Sequence, residues 1–360
     1  MGIAATELAV DSYRSFDEFT LALNRGTTIL VGRNAVGKTN LIEALQLLTA
    51  GASFRRPSPS DLVKDGEGTA RASLRLEGEG RVLDMGLEVV AGRRSFTRNG
   101  KRVRAGGIRG VLPSVLFCPD DLDMVKRSAR VRRDALDSFG VQLNEKYAQL
   151  LSAYERTVEQ RNNLLKEAPA PALLEAWDES LVQCGARLLA HRMALLERVR
   201  AHFIEIYRVI APHEVPDVRY VPSVGELPAE RDAIAEAFSR ALRDARADEL
   251  RRGVTLVGPH RDEILFTIDG RPARDFGSQG QQRSFVLAWK MAEVSVTRDI
   301  LGRYPLLLLD DVMSELDAVR RESIMGFVAE GIQTVVTTTN LGYFSQDILD
   351  RAKVVHIGNV

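Results

Sequence analysis

The sequence is poor in cysteine and histidine and has no excess of charge of either sign. Cys118 and Cys184 are its only cysteines, each in an apolar context, so a disulfide framework is excluded and a zinc site is not indicated. His191, His202 and His213 recur every eleven residues, whereas zinc on a helix generally uses positions four apart. Lys+Arg and Asp+Glu both number 49, so the net charge neither requires nor excludes a polyanionic partner.

Long apolar stretches and a secretory pattern are lacking as well. The longest aliphatic run covers residues 306–309, whereas a membrane-spanning helix needs about 20 apolar residues. The first residues do not follow the basic-then-apolar order of a signal peptide. We therefore expect a cytoplasmic protein without a membrane partner.

A phosphate-binding loop is the clearest motif that the sequence does contain. Residues 32–39 read G-R-N-A-V-G-K-T and fit the pattern G-x-x-x-x-G-K-[ST]. Apolar residues 28–31 predict a buried strand before the loop, and residues 40–48 predict a helix after it. An ordinary glycine turn between a strand and a helix is the alternative. The predicted nucleotide-binding residues are Gly32, Arg33, Asn34, Ala35, Val36, Gly37, Lys38, Thr39 and Asn40.

Two acidic residues predict the second half of a nucleotide site. The apolar residues 305–309 are typical of a strand buried in a parallel sheet, and Asp310 and Asp311 follow it. We expect Thr39 and Asp310 to hold Mg²⁺, Asp311 to orient the attacking water and Lys38 to reach the β- and γ-phosphates of ATP. Two adjacent acids in a solvated loop are the alternative.

A third motif indicates the class of ATPase to which the predicted site belongs. Residues 277–283, G-S-Q-G-Q-Q-R, open a predicted helix and resemble the signature motif of ABC-type ATPases, although alone they are also an ordinary helix cap. They precede the acidic strand by about thirty residues, and S-E-L-D follows it at 314–317, as in ABC-type ATPases. That resemblance implies a homodimer in which the signature of one subunit completes the ATP site of the other. The residues concerned are Ser278, Gln279, Gly280 and Gln281 in the signature, and Ser314 and Asp317 in the later loop.

The predicted fold is α/β, an ATPase head with a mixed sheet and an antiparallel β lobe. We expect the head to comprise residues 1–125 and 251–360, with a helical arm at residues 126–250 inserted between them. A head split by a helical hairpin resembles the SMC-type branch of ABC ATPases. Within the head, residues 254–257 predict a strand, and Asn-Gly at 99–100 predicts a tight hairpin turn.

The arm is predicted to be a helical hairpin with a third helix. Two helical patterns run from residue 132 to residue 210 and are split at residues 168–171. At a rise of about 1.5 Å per residue, each would be roughly 50 Å long. Leucines recur every seven residues from 174 to 195 and predict the seam between the two helices. The third helix is predicted at residues 229–250.

Six short tracts together resemble the RecF recombination-mediator family over nearly the whole chain. They are Y-R-S-F at 13–16, G-K-T-N-L-I-E-A at 37–44, G-A-S-F-R at 51–55, F-C-P-D-D-L at 117–122, G-P-H-R-D-E at 258–263 and S-Q-G-Q-Q-R at 278–283. Lys126 and the pair Arg132-Arg133 belong to the same resemblance. It implies ATP-dependent dimerisation, slow DNA-stimulated hydrolysis of ATP, and a role with RecO and RecR in loading RecA onto gaps coated by single-strand-binding protein. It also implies DNA replication and repair, the SOS response, and nucleoid association on DNA.

Three positions depart from the pattern of that family and class. Ala35 stands where a glycine usually follows the asparagine of the loop, which predicts a stiffer turn. Asp311 stands where ABC ATPases usually have glutamate, and its shorter reach predicts slower hydrolysis. Residues 338–340, T-T-N, follow the last strand in place of a switch histidine.

A basic stretch suggests where DNA would bind. Residues 93–133 contain twelve Lys and Arg but three acids, and such a stretch either contacts phosphates or is a solvated basic surface. The predicted contacts to duplex DNA at gaps or junctions are Arg102, Arg104, Lys126, Arg132 and Arg133.

Two other functions compete with a repair ATPase. An SMC-like protein that organises chromosomes would need a hinge or far longer coils, and the ATPase subunit of a transporter would need a surface for a membrane protein. The sequence has neither such a hinge nor such coils, and the absence of a co-purifying membrane protein would weigh against a transporter subunit.

Overall fold

The computed structural model describes residues 2–167, 170–226, 231–329 and 331–358. The strands are β1 Ala4–Tyr13, β2 Phe16–Ala22, β3 Thr27–Val31, β4 Thr69–Gly78, β5 Arg81–Val90, β6 Arg93–Arg98, β7 Lys101–Val103, β8 Ser114–Phe117, β9 Pro216–Val221, β10 Glu263–Ile268, β11 Arg271–Pro272, β12 Leu306–Asp310, β13 Thr334–Thr338 and β14 Lys353–His356. The helices are α1 Lys38–Ala50, α2 Asp123–Lys126, α3 Ala129–Leu143, α4 Glu145–Lys166, α5 Pro171–Ile210, α6 Arg231–Arg252, α7 Ala273–Phe276, α8 Gln279–Leu301, α9 Ala318–Ala329 and α10 Gln346–Arg351.

The chain divides into two compact units. The first comprises Met1–Asp121 and Leu287–Val360, and the second comprises Leu122–Val286. The second unit contains the predicted arm together with residues 251–286, so the arm as a domain of its own stays a prediction. Among the described residues, no helix combines the length and the apolar character that a membrane crossing requires.

A parallel sheet organises the first unit and confirms the α/β expectation. Its strand order is β14-β3-β13-β12-β8, and every pair in it is parallel. All residues of β12 and β13 are buried, as expected for central strands covered on both faces. The carboxyl ends of β3, β12 and β13 lie at one edge of this sheet, so the loops that follow them are neighbours.

An antiparallel sheet of six strands forms the β lobe of the first unit. Its order is β2-β1-β4-β5-β6-β7. Side chains of β4 alternate between buried and exposed, the signature of a sheet with one solvated face. The turn between β6 and β7 has positive φ at both Asn99 and Gly100, 49° and 73°, which confirms the hairpin predicted from Asn-Gly.

The second unit is built on the helices α3 to α6 and a three-stranded sheet in the order β11-β10-β9. Leu174, Leu181, Leu188 and Leu195 are all buried, as both the predicted seam and a plain helical core require. The first helical pattern is interrupted at Asn144, whose side chain accepts the N–H of Lys146 and caps α4. With 22 and 40 residues, α4 and α5 are about 33 Å and about 60 Å long, so the estimate of 50 Å is wrong for both. Residues 168–169 and 229–230, where two predicted boundaries fall, lie outside the described residues.

Residues 254–257 do not form the predicted strand. The N–H of Thr255 donates to Asn162 Oδ1 and that of Leu256 to Glu249 Oε1, each at 2.7 Å. Because side chains satisfy these backbone groups, the segment needs no partner strand. β10 pairs with β11 and with β9, and β9 is a strand that the sequence patterns did not predict.

Candidate nucleotide site

The phosphate loop connects β3 to α1, as predicted. Gly37 is the residue before α1 and has φ of 95°, and a Cβ at this position would lie 2.7 Å from the ring of Phe16. Among the described side chains none caps the start of α1, so its first N–H groups point toward the loop. Ala35 also has positive φ, 67°; an L-residue there is strained by roughly 1–2 kcal/mol.

Lys38 lies folded against its own loop. Its Nζ donates to the carbonyl oxygens of Gly32 and Arg33, both at 2.8 Å. Burial lowers the pKa of the Lys38 ammonium, and the negative charges of Asp311 and Asp310 oppose that effect. The ammonium is therefore held by the loop carbonyls and is subject to the charge of the acidic pair, as expected of a lysine that binds phosphates.

Asp310 joins the loop to the centre of the sheet. Its Oδ1 accepts hydrogen bonds from Thr39 Oγ1 at 3.0 Å and from Thr337 Oγ1 at 2.7 Å. Burial raises the pKa of the Asp310 carboxyl, while the two threonine hydroxyls and the positive charge of Arg55 act in the opposite direction. The structure thus brings together Thr39 and Asp310, the two predicted Mg²⁺ ligands.

Asp311 is held in an unusual backbone conformation beside this pair. Its φ is 52°, and its N–H donates to Thr337 Oγ1 at 2.9 Å. Its Oδ1 is buried and has no hydrogen-bond partner among the described residues. A buried oxygen of this kind calls for a water or a cation, so Thr39, Asp310 and Asp311 fit a magnesium–phosphate site, which typically uses one or two carboxylates.

Arg55 is a site residue that the sequence reading did not assign. Its Nη1 donates to Asn40 Oδ1 at 3.0 Å and lies 3.7 Å from the buried carboxylate of Glu43. Arg14 also binds Glu43 through two hydrogen bonds of 2.9 Å. Two arginines on one buried glutamate hold the segment after α1 beside the phosphate loop. In the sequence, Arg55 belongs to the tract G-A-S-F-R of the family resemblance, which carries no role for it.

The signature segment forms a helix cap of a particular kind. Ser278 Oγ accepts the N–H of Gln281 at 3.2 Å, and Gln281 Oε1 accepts the N–H of Ser278 at 2.8 Å. This reciprocal pair is a capping box at the start of α8. Ser278 and Gln279 are exposed, whereas Gly280 and Gln281 are half-buried. The segment is therefore a helix cap in the structure, and its role as the signature of an ATPase stays a prediction.

The loops after β12 and β13 are ordered by their own side chains. Ser314 Oγ donates to the carbonyl of Asp311 at 2.8 Å, and Asp317 Oδ1 accepts the N–H of Arg320 at 2.9 Å at the start of α9. After β13, the N–H of Asn340 donates to Thr338 Oγ1 at 3.1 Å.

The G-P-H-R-D-E tract packs inside the second unit. Tyr154 Oη lies 2.7 Å from His260 Nδ1, and His260 Nε2 lies 3.1 Å from the carbonyl of Thr255. Burial lowers the pKa of His260 to about 4, although the hydrogen bond to the carbonyl of Thr255 acts in the opposite direction. His260 therefore has a structural role as a neutral ring.

The five predicted DNA contacts separate into two groups. Arg102, Arg104 and Lys126 are exposed. Arg132 is 5% exposed, and its guanidinium donates two hydrogen bonds of 2.8 Å to the carboxylate of Glu263. The guanidinium of Arg133 donates to the carbonyl of Asp262. Arg132 and Arg133 are thus used within the fold, so we do not expect these two guanidinium groups to bind DNA.

A parallel sheet with the phosphate loop after β3 and the acidic pair after β12, beside an antiparallel lobe, defines an ABC/SMC-type ATPase head. Residues 4–356 match the RecF/RecN/SMC N terminal domain family. The DNA replication and repair protein RecF of Gloeobacter violaceus is 38% identical to this chain over 96% of it and 94% of the relative. The chain therefore belongs to the RecF family.

Other relatives agree with this assignment. RecF of Geobacillus thermodenitrificans is 36% identical over 99% of this chain and 98% of its own length. The solved structure of the recombination mediator protein RecF with ATP, of the RecFOR pathway, has a TM-score of 0.89 and 31% identity, and covers 96% of this chain and 94% of that one. The Smc head domain of Pyrococcus furiosus has a TM-score of 0.58 at 16% identity, covering 99% of this chain and 94% of that one, and shows the fold alone.

Proposed function

We propose that this chain binds ATP in the loop of residues 32–39 and uses slow hydrolysis of ATP to control its hold on DNA in recombinational repair. The hydrogen bond from Thr39 to Asp310 carries the proposal, because it joins the two halves of the site across the sheet. The solved structure of a RecF protein with ATP supports the choice of nucleotide.

The residues of the site divide the work of binding and hydrolysis. Lys38 and the N–H groups at the start of α1 bind the β- and γ-phosphates, and Arg55 adds positive charge on the side of Asp310. Mg²⁺, when bound, neutralises phosphate charge; Thr39 and Asp310 would hold it. Asp311, with its unpartnered oxygen, orients the attacking water and accepts its proton.

We further propose that two copies close on two ATP molecules. Ser278 is exposed at the start of α8, where the helix dipole favours a negatively charged group. The capping box fixes that serine in position, so it can meet the γ-phosphate held by the other copy. Gln279, Gly280 and Gln281 complete the signature, and Ser314 and Asp317 order the loop beside the acidic pair.

DNA would bind to the exposed basic hairpin of β6 and β7. Its cations are all exposed, and none has a carboxylate partner among the described residues; they are Arg93, Arg94, Arg98, Lys101, Arg102 and Arg104. No acid lies in residues 93–104. Such a surface favours the phosphate backbone of duplex DNA over any particular sequence. The RecF assignment supports action at single-strand gaps, with RecO and RecR as partners that help load RecA.

A measurement of mass by light scattering tests the ATP-dependent dimer. We expect a dimer with ATP and Mg²⁺, and a monomer with ADP or without nucleotide. Lys38→Arg should lose ATP binding and the dimer together, whereas Lys146→Arg, at an exposed position of α4, should keep both. A dimer that persists in Lys38→Arg without bound ATP would refute the shared site, and one that forms with Ser278→Arg would refute the role of the signature.

A further inference from the structure

Thr337 of β13 connects both residues of the acidic pair through a single hydroxyl group. Its side chain is buried. The hydroxyl donates to Asp310 Oδ1 at 2.7 Å and accepts the backbone N–H of Asp311 at 2.9 Å. A backbone N–H only donates, and a hydroxyl has one proton, so the direction of both hydrogen bonds is fixed. Position 337 therefore requires a side chain that donates and accepts at the same time.

The strand that carries Thr337 lies between the two strands that carry the site. Thr337 is in register with Asp310 of β12 on one side and with Leu30 of β3 on the other. The hydroxyl of Thr39 donates to the same Oδ1 of Asp310, so this oxygen accepts two hydroxyl groups and neither hydrogen bond uses Oδ2. Two threonines on one oxygen fix the orientation of the carboxylate and leave its second oxygen for a ligand.

The hydrogen bond from Asp311 to Thr337 holds an unusual backbone. Successive side chains of a strand point to opposite faces, whereas the φ of 52° at Asp311 departs from the strand geometry of Asp310. The charges of both carboxylates raise the pKa of Lys38, so both lie near its ammonium. A left-handed residue other than glycine is strained and persists only where its surroundings support it. The hydroxyl of Thr337 gives that support to Asp311.

We propose that Thr337 is a positioning residue for the hydrolysis of ATP, whose hydroxyl orients the carboxylate of Asp310 and holds Asp311 in its left-handed conformation. The inference rests on the proposed function, in which Asp311 orients the attacking water. Thr337 Oγ1 forms its hydrogen bonds with the acidic pair, whereas the phosphates bind Lys38 and the N–H groups at the start of α1. Loss of this hydroxyl therefore impairs hydrolysis far more than the binding of ATP.

Three substitutions in the full-length chain test the proposal. Thr337→Val keeps the shape of the side chain but loses both hydrogen bonds, so kcat for ATP should fall by at least about tenfold, while ATP affinity measured without Mg²⁺ changes by less than about twofold. Thr337→Ser keeps donor and acceptor and should restore kcat. Thr334→Val is the matched control, because Thr334 is a buried threonine of the same strand whose hydroxyl donates to the carbonyl of Ile332 at 3.0 Å. An equal loss of kcat in the two valine variants, or no recovery in Thr337→Ser, would overturn the proposal.

Hydrogen exchange gives a second readout that needs neither nucleotide nor metal. Because Thr337 Oγ1 accepts the N–H of Asp311, Thr337→Val should raise the exchange rate of that amide by about tenfold, as measured by NMR. In Thr337→Ser and Thr334→Val the rate should stay that of the unmodified chain. An unchanged rate in Thr337→Val would refute the hold of Thr337 on the acidic pair and leave the ATP site intact. The absence of any ATP hydrolysis by the unmodified chain would instead refute the proposed function.

Discussion

Residues 93–104 contain six basic residues and residues 126–133 contain five, yet the structure uses the two segments differently. The β6–β7 hairpin holds its cations in solvent, and none is paired with a carboxylate among the described residues. In α3, the guanidinium of Arg132 is buried on Glu263 and also donates to the carbonyls of Met124 and Arg127. The comparison teaches that a charge count identifies a candidate surface, whereas burial decides which cations remain available to DNA.

The two kinds of secondary structure explain the difference. A short hairpin at the edge of a sheet leaves most of its side chains in solvent. A helix buries one face, and an arginine on that face must find carboxylates and carbonyls to replace water. Glu263 supplies the carboxylate from a position 131 residues further along the chain, which no local pattern could indicate.

The largest effect that we expect concerns stability. Arg132→Met should lower the free energy of unfolding by about 3 kcal/mol, because it leaves the carboxylate of Glu263 and two backbone carbonyls without their hydrogen-bond donor. Breaking a fully buried ion pair would lower it somewhat more. Urea denaturation followed by circular dichroism measures the change.

Arg130→Met is the matched control, because Arg130 is 76% exposed and lies 3.9 Å from Asp134. Its expected effect is within about 0.5 kcal/mol. If the two substitutions destabilise the chain equally, the distinction between a structural and a free arginine in α3 is wrong.

A second prediction concerns the loss of stability at acidic pH. His260 is buried near Arg261, Arg133 and Arg192, and burial holds its pKa at about 4. The unfolded chain takes up the proton at its ordinary pKa of about 6.5 while the folded chain does not, so this stability is full above that value and is lost as pH falls toward 4. Between about pH 7 and about pH 5 we expect a loss of about 2 kcal/mol.

His260→Gln should flatten this part of the pH dependence, as measured by urea denaturation at several pH values. His213→Gln, at an exposed position, controls for the change of side chain. An unchanged slope in His260→Gln would show that the ring is not kept neutral by its buried surroundings.

Local patterns predicted those parts of the fold and site that depend on neighbours in the chain. The phosphate loop, the acidic pair after β12 and the Asn99–Gly100 turn all have a fixed spacing and a mechanism. Arg55 and the segment 254–257 depend instead on particular partners. Asp310 and Asn162 are far away in the chain, and Glu249 lies seven residues before Leu256 without forming any recognisable pattern with it. Sequence periodicity contains no information about such pairs.

The third prediction tests whether the exposed residues 93–104 bind DNA. Arg102→Glu combined with Arg104→Glu should weaken binding to duplex DNA by about tenfold or more at low salt, and should lower the salt dependence of binding, because fewer counterions are released. Stability should change by less than about 0.5 kcal/mol. Fluorescence anisotropy at several salt concentrations gives both quantities. Affinity that is unchanged by the reversal and by salt would remove the hairpin from the interface.

The smallest effect is expected at Lys126. This residue lies within residues 126–133, but its side chain is exposed like the cations of residues 93–104. It ends α2, where a cation is favoured by the helix dipole even without DNA. Lys126→Gln should therefore change DNA affinity by less than about threefold and reduce the salt slope by at most about one. If Lys126→Gln weakens DNA binding as much as the double reversal of Arg102 and Arg104 does, Lys126 is also a DNA-binding residue. Exposure of a cation, rather than its position in the β6–β7 hairpin, would then indicate which cations bind DNA.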